Sequence, residues 1–399
     1  MRSSNLSVVL RQLRHGERRS RAQLATATRL SKASITSLVA ELTARGLVRE
    51  GEVERRGTIG RPGTCVELDG SMIWGIGLEI NVEYLAVTVV DLTGAILDES
   101  SRTLAAADTT PEVVLDQCAA MLNAVLGRAS RSDVQVAGIV VAPPGIIDHE
   151  TGTVRFAPSL GWRDVPLAAL LSQRLRAPDV PLQLENDAKL AALASFATLT
   201  DRDDVRDLVH ITGDVGVGAG IIADGHLMRG WSGFSGEVGH MLYVHDGPPC
   251  PCGRNGCWEL YVGVNALLAA VPDDDPANDL SLPFPERLQA LRDRLDGGDD
   301  ALAAALRDVE KALARGLTVV VDFLNPRRLV LGGYFAWFPE VLAGVEEALE
   351  ARRMDVGMHV EVTLSPKGFV AAPLGGALLA LDRVFADPTV AAERPHVTN

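Results

Sequence analysis

Apolar residues at the start of the chain recur with the spacing of helices. The first set falls at positions i, i+3, i+4 and i+7 and consists of Leu6, Val9, Leu10 and Leu13. A second helix is predicted to open at Ser20, because Gln23 completes a capping box. A third is predicted between Ser31 and Gly46, with an apolar stripe of Ile35, Leu38, Val39 and Leu42. Short helices joined by a tight turn predict a helix-turn-helix unit over residues 1–70.

A basic hairpin follows the third predicted helix. One strand is predicted from Leu47, and residues 64–68 are predicted to return beside it. Residues 55–63 between them are rich in arginine and glycine, which is typical of the wing of a winged helix-turn-helix domain. We therefore expect contacts to DNA from Lys32, Ser34, Thr36 and Ser37 on the third helix and from Arg61 at the wing tip.

From Trp74 onward, strands alternate with helices. Buried strands are predicted over residues 85–92 and 136–141, and a helix over 111–126 lies between them. A second unit of the same kind begins near Asp207. This alternation predicts an α/β body in which helices cover a mixed sheet.

The charge of the chain is divided between its two parts. The net charge of the 399 residues is −14, but residues 1–63 carry thirteen Lys and Arg against five Asp and Glu, a net of +8. A basic head on an acidic body is suited to DNA binding, because only the head must approach the phosphates. A solvated basic face is the alternative explanation.

No uninterrupted apolar run reaches the roughly 18 residues that a membrane span needs. The first residues become charged too soon to form a signal peptide. We therefore expect a cytoplasmic protein that does not contact a membrane. In that reducing compartment a disulfide framework is not expected from five cysteines, and Cys65 and Cys118 are interpreted as ordinary buried residues.

The other cysteines form the most specific local signal in the chain. One histidine and three thiols occur within eighteen residues, at His240, Cys250, Cys252 and Cys257. This set suits tetrahedral Zn²⁺, and four protein ligands would close the coordination sphere, so a structural zinc is predicted. Three reduced thiols without a metal remain the alternative.

Several motifs together resemble the ROK family, named for repressors, open reading frames and kinases. They are found in the order that the family shows, at residues 144–148, 161–162, 185–188, 214–220, 236–240, 250–259 and 325–333. The winged head resembles the repressor branch, which includes regulators that respond to xylose, glucose or N-acetylglucosamine. The resemblance implies an actin-like, ribonuclease H-like fold with a sugar between two lobes. The first lobe would span residues 71–185 and the second 186–374, and a helix over 375–390 would return to the first.

The resemblance also implies a sugar site. Its members would be Asn186, Asp187, Glu237, His240 and Glu259. In the family's kinases the residue matching Asp187 is the catalytic base, and the histidine matching His240 faces zinc with one ring nitrogen and the sugar with the other. Simpler roles are a helix cap for Asn186 and Asp187 and a surface charge for Glu259. Ser159 departs from the family pattern, which leaves one expected sugar contact in doubt.

The phosphate-binding turns of the kinases are altered in this chain. Residues 79–83, Glu-Ile-Asn-Val-Glu, replace the kinase Asp-x-Gly-Gly-Thr, so that Glu83 would set a negative charge against the γ-phosphate. In the second turn Val215 replaces the usual Thr and Asp214 adds a carboxylate, whereas the 331–333 Leu-Gly-Gly motif is kept. These changes favour a protein that is not an enzyme.

Three functions therefore compete. The first is a sugar-responsive transcriptional repressor that binds an inverted-repeat operator as a homodimer or homotetramer. The second is a sugar kinase with a fused DNA-binding head. The third is a DNA-binding scaffold whose cleft binds no sugar, which the intact sugar-site residues disfavour. The sequence identifies neither the sugar nor the operator.

Overall fold

The computed structural model describes residues 2–14, 17–51, 64–106, 109–199, 205–352 and 359–393. Its first unit is a helical head with a small antiparallel sheet in the order β1-β3-β2. The elements described in the head are α1 (Arg2–Arg11), β1 (Arg19–Ser20), α2 (Arg21–Thr28), α3 (Lys32–Ala44), β2 (Val48–Gly51) and β3 (Cys65–Leu68). The winged helix-turn-helix prediction is confirmed, although β1 was not foreseen. The predicted wing tip, including Arg61, lies outside the described residues.

Local hydrogen bonds set the ends of the head helices. The Ser20 side chain accepts a hydrogen bond from the backbone N–H of Gln23, whose side chain accepts one from the Ser20 N–H, so the predicted capping box is present. Ser31 caps α3 by accepting from the N–H of Ser34. Gly46 follows the C-terminus of α3 with φ +66°, a conformation that glycine adopts without strain.

The body begins with a five-stranded sheet in the order β11-β7-β4-β5-β6. The elements of this first lobe are β4 (Ile73–Ile80), β5 (Tyr84–Asp91), β6 (Ile96–Thr103), α4 (Pro111–Arg131), β7 (Gln135–Ala142), β8 (Ile146–Asp148), β9 (Thr153–Ala157), β10 (Trp162–Val165), α5 (Leu167–Ser172) and β11 (Leu182–Leu184). Strands β8, β9 and β10 form a separate small sheet. The helix predicted over 111–126 continues to Arg131, with Ala129 still buried on its inner face.

A second five-stranded sheet follows in the order β14-β13-β12-β15-β16. The elements of this second lobe are α6 (Asp187–Leu199), β12 (Leu208–Gly213), β13 (Val217–Ala223), β14 (His226–Leu227), α7 (Glu259–Val262), α8 (Asn265–Leu268), α9 (Phe284–Asp296), α10 (Asp300–Leu324), β15 (Arg328–Gly333), α11 (Val341–Ala351) and β16 (Glu361–Leu364). In chain order, the first three strands of each sheet run antiparallel to one another, and the last two run parallel to the first strand. This repeated topology confirms the two-lobed actin-like fold.

The last long helix, α12 (Ala371–Ala386), packs against both the first sheet and α6. Glycines make this close packing possible. A Cβ atom on Gly77 of β4 would lie 1.8 Å from the carbonyl oxygen of Pro373, and one on Gly375 would lie 1.9 Å from that of Leu190 in α6. Side chains at these points would force the helices away from the strand.

The same helix carries the head. The apolar core of the head is continuous with the C-terminal half of α12, where Leu381, Val384 and Phe385 are buried. The Ser7 hydroxyl donates a 2.7 Å hydrogen bond to the carbonyl oxygen of Phe385, and Arg14 pairs with Asp382 at 2.5 Å. The head is therefore fixed to α12 by burial and by polar contacts.

By length and apolar composition alone, one described segment, Gly368–Ala386, passes as a membrane-crossing helix. The search for an unbroken apolar run in the sequence did not find this segment. Because most of this segment is buried between the head and the two lobes, it is the core helix of the fold.

Substituting Gly77 with alanine is expected to lower the midpoint of thermal unfolding. The new methyl group would collide with the backbone of α12, and overpacking of this kind typically costs about 1–3 kcal/mol. Gly127→Ala in α4 is the matched control, because its nearest neighbour is the end of the flexible Arg131 side chain and alanine favours helix there. Equal melting temperatures for Gly77→Ala and the wild type would contradict the close packing of α12 on β4.

Candidate functional site

The start of α6 lies where the two lobes meet and carries the first two predicted sugar-site residues. The side-chain oxygen of Asn186 accepts a hydrogen bond from the N–H of Lys189 at 3.1 Å, so Asn186 caps the helix. Its amide nitrogen donates to the carbonyl oxygen of Gly145 in the first lobe at 3.3 Å. Asp187 accepts from the N–H of Ala188 at 2.8 Å, and burial raises the pKa of its carboxyl to about 6.

Glu237 and His240 are brought to this site by a turn that packs on β13. Gly236 and Gly239 allow this approach, since a Cβ on either would lie about 2 Å from a carbonyl oxygen of β13. Burial raises the pKa of Glu237. The negative charge of ionised Glu237 also contributes to the raised pKa of Asp187. The turn therefore brings Glu237 close enough to Asp187 to affect its pKa.

Glu259 is held in place by its buried neighbour Trp258. The indole N–H of Trp258 donates to the carbonyl oxygen of Ala312 in α10 at 2.9 Å. A carboxylate oxygen of Glu259 lies 3.1 Å from Nδ1 of His240 and 2.9 Å from Sγ of Cys250. Glu259 is therefore a largely buried side chain in contact with His240 and Cys250, and not a surface charge.

The four predicted metal ligands are gathered at one point. The candidate ligand atoms of His240, Cys250, Cys252 and Cys257 all lie within 4.8 Å of one another. Two of the separations are 3.6 Å, between Sγ of Cys252 and of Cys257, and 3.7 Å, between Sγ of Cys250 and Nδ1 of His240. Burial alone would raise the pKa of the Cys252 thiol, but hydrogen bonding from Arg254 lowers it to about 7. This set of donors can hold a metal ion.

Beside Asp187, buried carboxyl groups line a small cavity in the region to which the ROK resemblance assigns the phosphate site of the kinases. The Glu79 carboxylate accepts hydrogen bonds from the hydroxyl of Tyr84 at 3.0 Å and the amide of Asn81 at 3.4 Å. The same amide lies 3.4 Å from the carboxylate of Asp214. Among the described residues, Oε2 of Glu79 and Oδ1 of Asp214 have no hydrogen-bond partner.

These carboxylates line a cavity of about 10 Å³, together with Asp187, Thr212, Gly333 and Phe369. A space of that size admits about one water molecule. Burial, and after it repulsion from neighbouring carboxylates that include Asp187, raises the pKa values of both Glu79 and Asp214 well above their ordinary range. The region is therefore small and negatively charged when its carboxyls are ionised.

Glu83 has a different role from the one expected. Its carboxylate pairs with the buried guanidinium of Arg287 at 2.6 Å, so its charge is neutralised within the protein. Among the described residues, the buried carboxyl oxygens without a hydrogen-bond partner belong instead to Glu79 and Asp214. The sequence did not reveal the pairing of Glu83 with Arg287, because the two residues are 204 positions apart.

Glycines of the second phosphate turn are explained by packing. A Cβ on Gly218 would lie 2.9 Å from the side chain of Ala188, and one on Gly220 would lie 2.3 Å from that of Ala192. Both contacts are to α6. The glycines therefore bring β13 close to the helix that begins at Asp187.

Three further polar residues around α6 were not singled out from the sequence. Glu185 is fully buried and pairs with Arg229 of the second lobe at 2.6 Å. The ammonium group of Lys189, also buried, donates to the carbonyl oxygen of Gly233 at 2.6 Å. A lysine four residues after a glutamate on an apolar stretch is the one signal that could have marked them, and it is common on ordinary helices.

Four of the five residues predicted to contact DNA are described. Lys32, Ser34, Thr36 and Ser37 are all exposed on α3, opposite its buried stripe. The hydroxyl of Thr36 donates to the carbonyl oxygen of Lys32 at 2.9 Å, and that of Ser34 contacts Ser31 at 2.8 Å. The fifth, Arg61, falls outside the described residues.

Asp187→Asn is expected to melt at a higher temperature than the wild type at pH 8. The folded pKa of Asp187, about 6, exceeds its ordinary value of 3.8, so the ionised form costs stability above pH 6 and the cost vanishes below about pH 4. At 1.36 kcal/mol per unit, the difference is on the order of 2–3 kcal/mol. Asparagine keeps the hydrogen bond to the Ala188 N–H without the charge.

The measurement is a set of thermal melts between pH 4 and pH 8. Asp308→Asn, which changes an exposed carboxylate, serves as the control and is expected to follow the wild type throughout. If Asp187→Asn melted below the wild type at pH 8, the surroundings of Asp187 would have to favour its ionised form.

Similarity to known proteins assigns the chain to a family. The sequence profile of the ROK family matches residues 75–383, and that of the MarR family matches residues 7–57. Over 386 residues the chain is 29% identical to the xylose repressor of Bacillus spizizenii, with 95% of each chain covered. Over 247 residues it is 33% identical to the glucokinase of Streptomyces coelicolor, covering 62% of this chain and 72% of the enzyme.

A solved structure shares the whole architecture. It is that of a ROK family transcriptional regulator described as a homologue of the E. coli Mlc protein, and it matches with a TM-score of 0.75 at 22% identity. The match covers 96% of this chain and 97% of the regulator, so both head and body have the same fold. The chain therefore belongs to the ROK family and carries a MarR-type winged helix-turn-helix head in front of its ROK body.

Proposed function

We propose that a sugar bound between the two lobes lowers the affinity of the head for its operator, and that the chain does not phosphorylate this sugar. The chain is a sugar-responsive DNA-binding repressor of the ROK family, and its relatives include the xylose repressor described above and the repressor Mlc of Escherichia coli. The observation that carries the proposed mechanism is the position of α12. One end of this helix lies at the cleft and the other end carries the head.

The proposed sugar ligands are Asn186, Asp187, Glu237, His240 and Glu259. They supply carboxylate, amide and imidazole groups, which exchange hydrogen bonds with hydroxyls. Nδ1 of His240 faces Cys250 and Glu259, so Nε2 is the ring nitrogen available for a hydroxyl. The contact between His240 and Glu259, and the electrostatic effects that Glu237 shares with Asp187, His240 and Glu259, support a single ligand-binding surface.

The path from the cleft to the head consists of packed backbone. Asp187 begins α6, and Gly375 of α12 lies directly against the Leu190 backbone of α6. Ala371 and Ala372, at the start of α12, line the small cavity beside Asp187. Ser7 and Arg14 of the head hold the other end of α12. Closely packed helices transmit small displacements, so a shift of α6 on ligand binding would move the head.

Several features argue against phosphoryl transfer. Catalysis of this reaction needs a backbone cradle for the ATP phosphates and positive charge around them. Here the cradle glycines are absent from residues 79–83, Arg287 is engaged by Glu83, and unpaired carboxylates occupy the remaining cavity. A sugar kinase is the second candidate function, because the chain is similar to a glucokinase. The presence of Asp187, which matches the catalytic base of the family's kinases, also favours it.

The metal proposed for the cluster is a structural zinc ion. The sulfur atoms of a tetrahedral site with Zn–S bonds of about 2.3 Å lie about 3.8 Å apart, close to the 3.6 Å between Cys252 and Cys257. Four protein ligands leave no open position for catalysis. The ion would fix the turn that carries His240.

The DNA-binding form is proposed to be a homodimer or homotetramer that reads an inverted repeat, because one recognition helix supplies too few base contacts for a specific affinity. The exposed residues of α3 would enter the major groove and Arg61 the minor groove. The proposed head spans residues 1–70, the first lobe 71–185 and the second lobe 186–374. The proposed location of the protein is the cytoplasm.

Loosening the head from α12 is expected to uncouple the repressor from its sugar. The double variant Ser7→Ala, Asp382→Asn removes a buried hydrogen bond and weakens the Arg14 ion pair, but it keeps every basic residue of the head. The ratio of operator affinities without and with sugar should fall at least about fivefold, toward 1. Sugar affinity should change by less than about threefold, because the sites are at opposite ends of α12.

The ratio is measured by fluorescence anisotropy on DNA selected from a random library, with a panel of free sugars. Asp98→Asn is the control. It weakens the ion pair between Asp98 and Arg128, which has the same 2.5 Å length but does not involve the head. A double variant that responded to sugar as strongly as the wild type would rule out transmission through this junction.

Replacing Cys252 with serine is expected to remove the zinc and, with it, sugar binding. The loop from 241 to 257 has few buried apolar residues, so metal ligation would be its main source of order. Metal analysis should find about one zinc per chain in the wild type and in the control Cys118→Ala, whose cysteine is buried elsewhere. Full zinc content in Cys252→Ser, or far less than one zinc in the wild type, would refute the four-ligand site.

A further inference from the structure

We propose that the outer edge of β6 pairs with the same edge of a second copy of this chain, so that two first-lobe sheets join into one sheet across a two-fold axis. This inference rests on the proposed function, because it assigns a surface to the homodimer that would read an inverted repeat. A two-fold contact uses the same patch on both copies, so the patch must be complementary to itself.

The first observation is the exposure of β6. It is the last strand of the first sheet, no described strand pairs with its outer side, and seven of its eight residues are exposed. A free edge presents unpaired N–H and C=O groups, which proteins commonly protect with lysine, proline or a β-bulge. β6 contains neither lysine nor proline, and its register shift lies at one end, beside Val89 and Val90. Residues 98–103 therefore form a regular edge that is open to another strand.

The hydrogen bonds to β5 decide which residues of this edge can pair outward. The N–H of Leu104 donates to the carbonyl oxygen of Glu83, and hydrogen-bonded pairs alternate along an antiparallel ladder. The even-numbered residues between 98 and 102 therefore direct their N–H and C=O groups toward β5. Glu99, Ser101 and Thr103 direct theirs outward. A second β6 strand can bond to this edge only by setting odd-numbered residues against odd-numbered ones.

Charge selects one register among those that remain. When the two-fold axis passes beside Ser100, Asp98 of each copy lies opposite Arg102 of the other. Glu99 then lies opposite Ser101 of the other copy. An ion pair therefore forms twice, and a hydroxyl faces a carboxylate twice, which are stabilising cross-strand pairs. A slip of two residues one way sets Glu99 against itself, and a slip the other way separates Asp98 from Arg102. The edge is thus self-complementary in the register centred on Ser100.

Helix α4 supports the same arrangement. Asp98 pairs with Arg128 of α4 at 2.5 Å, and Arg102 donates a hydrogen bond to Gln117, so both side chains of the edge lie on the α4 side of the sheet. A carboxylate accepts several hydrogen bonds, so Asp98 can keep Arg128 and also bind Arg102 of the second copy. Between Gln117 and Arg128 the same face of the helix carries the exposed Ala124. This small residue leaves room for the α4 helices of two copies to approach each other across the axis.

The direct test places a cysteine at the proposed axis. Ser100→Cys would set two thiols in a directly opposed pair that is not hydrogen-bonded, whose Cα atoms lie about 4.5 Å apart, within the range of a disulfide. After the full-length protein is exposed to oxidised glutathione, most of this variant is expected as a covalent dimer on a non-reducing gel. Ser101→Cys is the matched control, because its two thiols would be diagonal neighbours about 7–8 Å apart, too far for a disulfide.

Ser101→Pro tests the hydrogen bonds of the edge. Proline removes an N–H that points outward and none that β5 accepts, so the strand should keep its place in the sheet but lose its pairing with a second copy. The dimer dissociation constant, measured by analytical ultracentrifugation, should rise at least about tenfold over the wild type, whereas Ser101→Ala should stay within about threefold. A thermal melt checks that Ser101→Pro is folded.

Asp98→Asn is expected to weaken the dimer only slightly, because asparagine keeps an oxygen acceptor opposite Arg102. It should shift operator affinity equally with and without sugar. It therefore remains a suitable control for the junction between the head and α12.

Two results would overturn the inference. A Ser100→Cys variant without a disulfide, or an equal yield from Ser101→Cys, would refute the register centred on Ser100. An unchanged dissociation constant in folded Ser101→Pro would exclude β6 as the contact. If the wild type still formed dimers or tetramers on an inverted repeat, the proposed function would stand with a different interface. A wild type that is monomeric both free and on DNA would remove the proposed homodimer, and this inference with it.

Discussion

The architecture depends on the close approach of α12 to its neighbours. This helix can lie against the β4 strand only because Gly77 has no side chain, and against α6 only because Gly375 has none. Backbone in contact with backbone leaves little room for independent movement. The first sheet, the helix that begins at Asp187 and the DNA-binding head are therefore parts of one mechanical unit. A ligand that repositions Asp187 acts on the same helix that carries the head.

The cleft combines the polar side chains of the proposed sugar site with buried carboxyl groups beside Asp187. Asn186 serves the fold by capping α6 and keeps its amide near the cleft. Glu79 and Asp214 have the opposite character, since their buried oxygens lack partners and their raised pKa values reflect a cost to the fold. Costs of this kind are typical of functional sites. In this chain the cost accords with the proposal that the cleft binds a sugar without phosphorylating it.

Local patterns in the sequence predicted much of the fold. The capping box at Ser20, the glycine after α3 and the alternation of strands and helices each depend on neighbouring residues, so the chain reveals them directly. The cysteine spacing located the cluster of four candidate metal ligands for the same reason. The resemblance to the ROK family supplied the sugar site, which composition and periodicity alone do not identify.

Contacts between distant residues were beyond the sequence. The pairing of Glu83 with Arg287 reversed the role expected of Glu83, and the attachment of Ser7 to the end of α12 joins residues 378 positions apart. The need for glycine at Gly218 and Gly220 follows from their close packing on α6. Such relations arise from topology, which brings together segments that no local pattern connects.

The most direct test of the central claim follows the sugar and the operator in one reaction. The wild-type protein, bound to labelled operator DNA, is titrated with a free sugar in the presence of Mg²⁺ and ATP, and the sugar is then recovered and analysed. The account predicts that the DNA is released over the concentration range in which the sugar binds, and that the sugar is recovered unphosphorylated with the ATP intact. Stoichiometric or catalytic formation of sugar phosphate, or saturating sugar without any change in operator affinity, would contradict it.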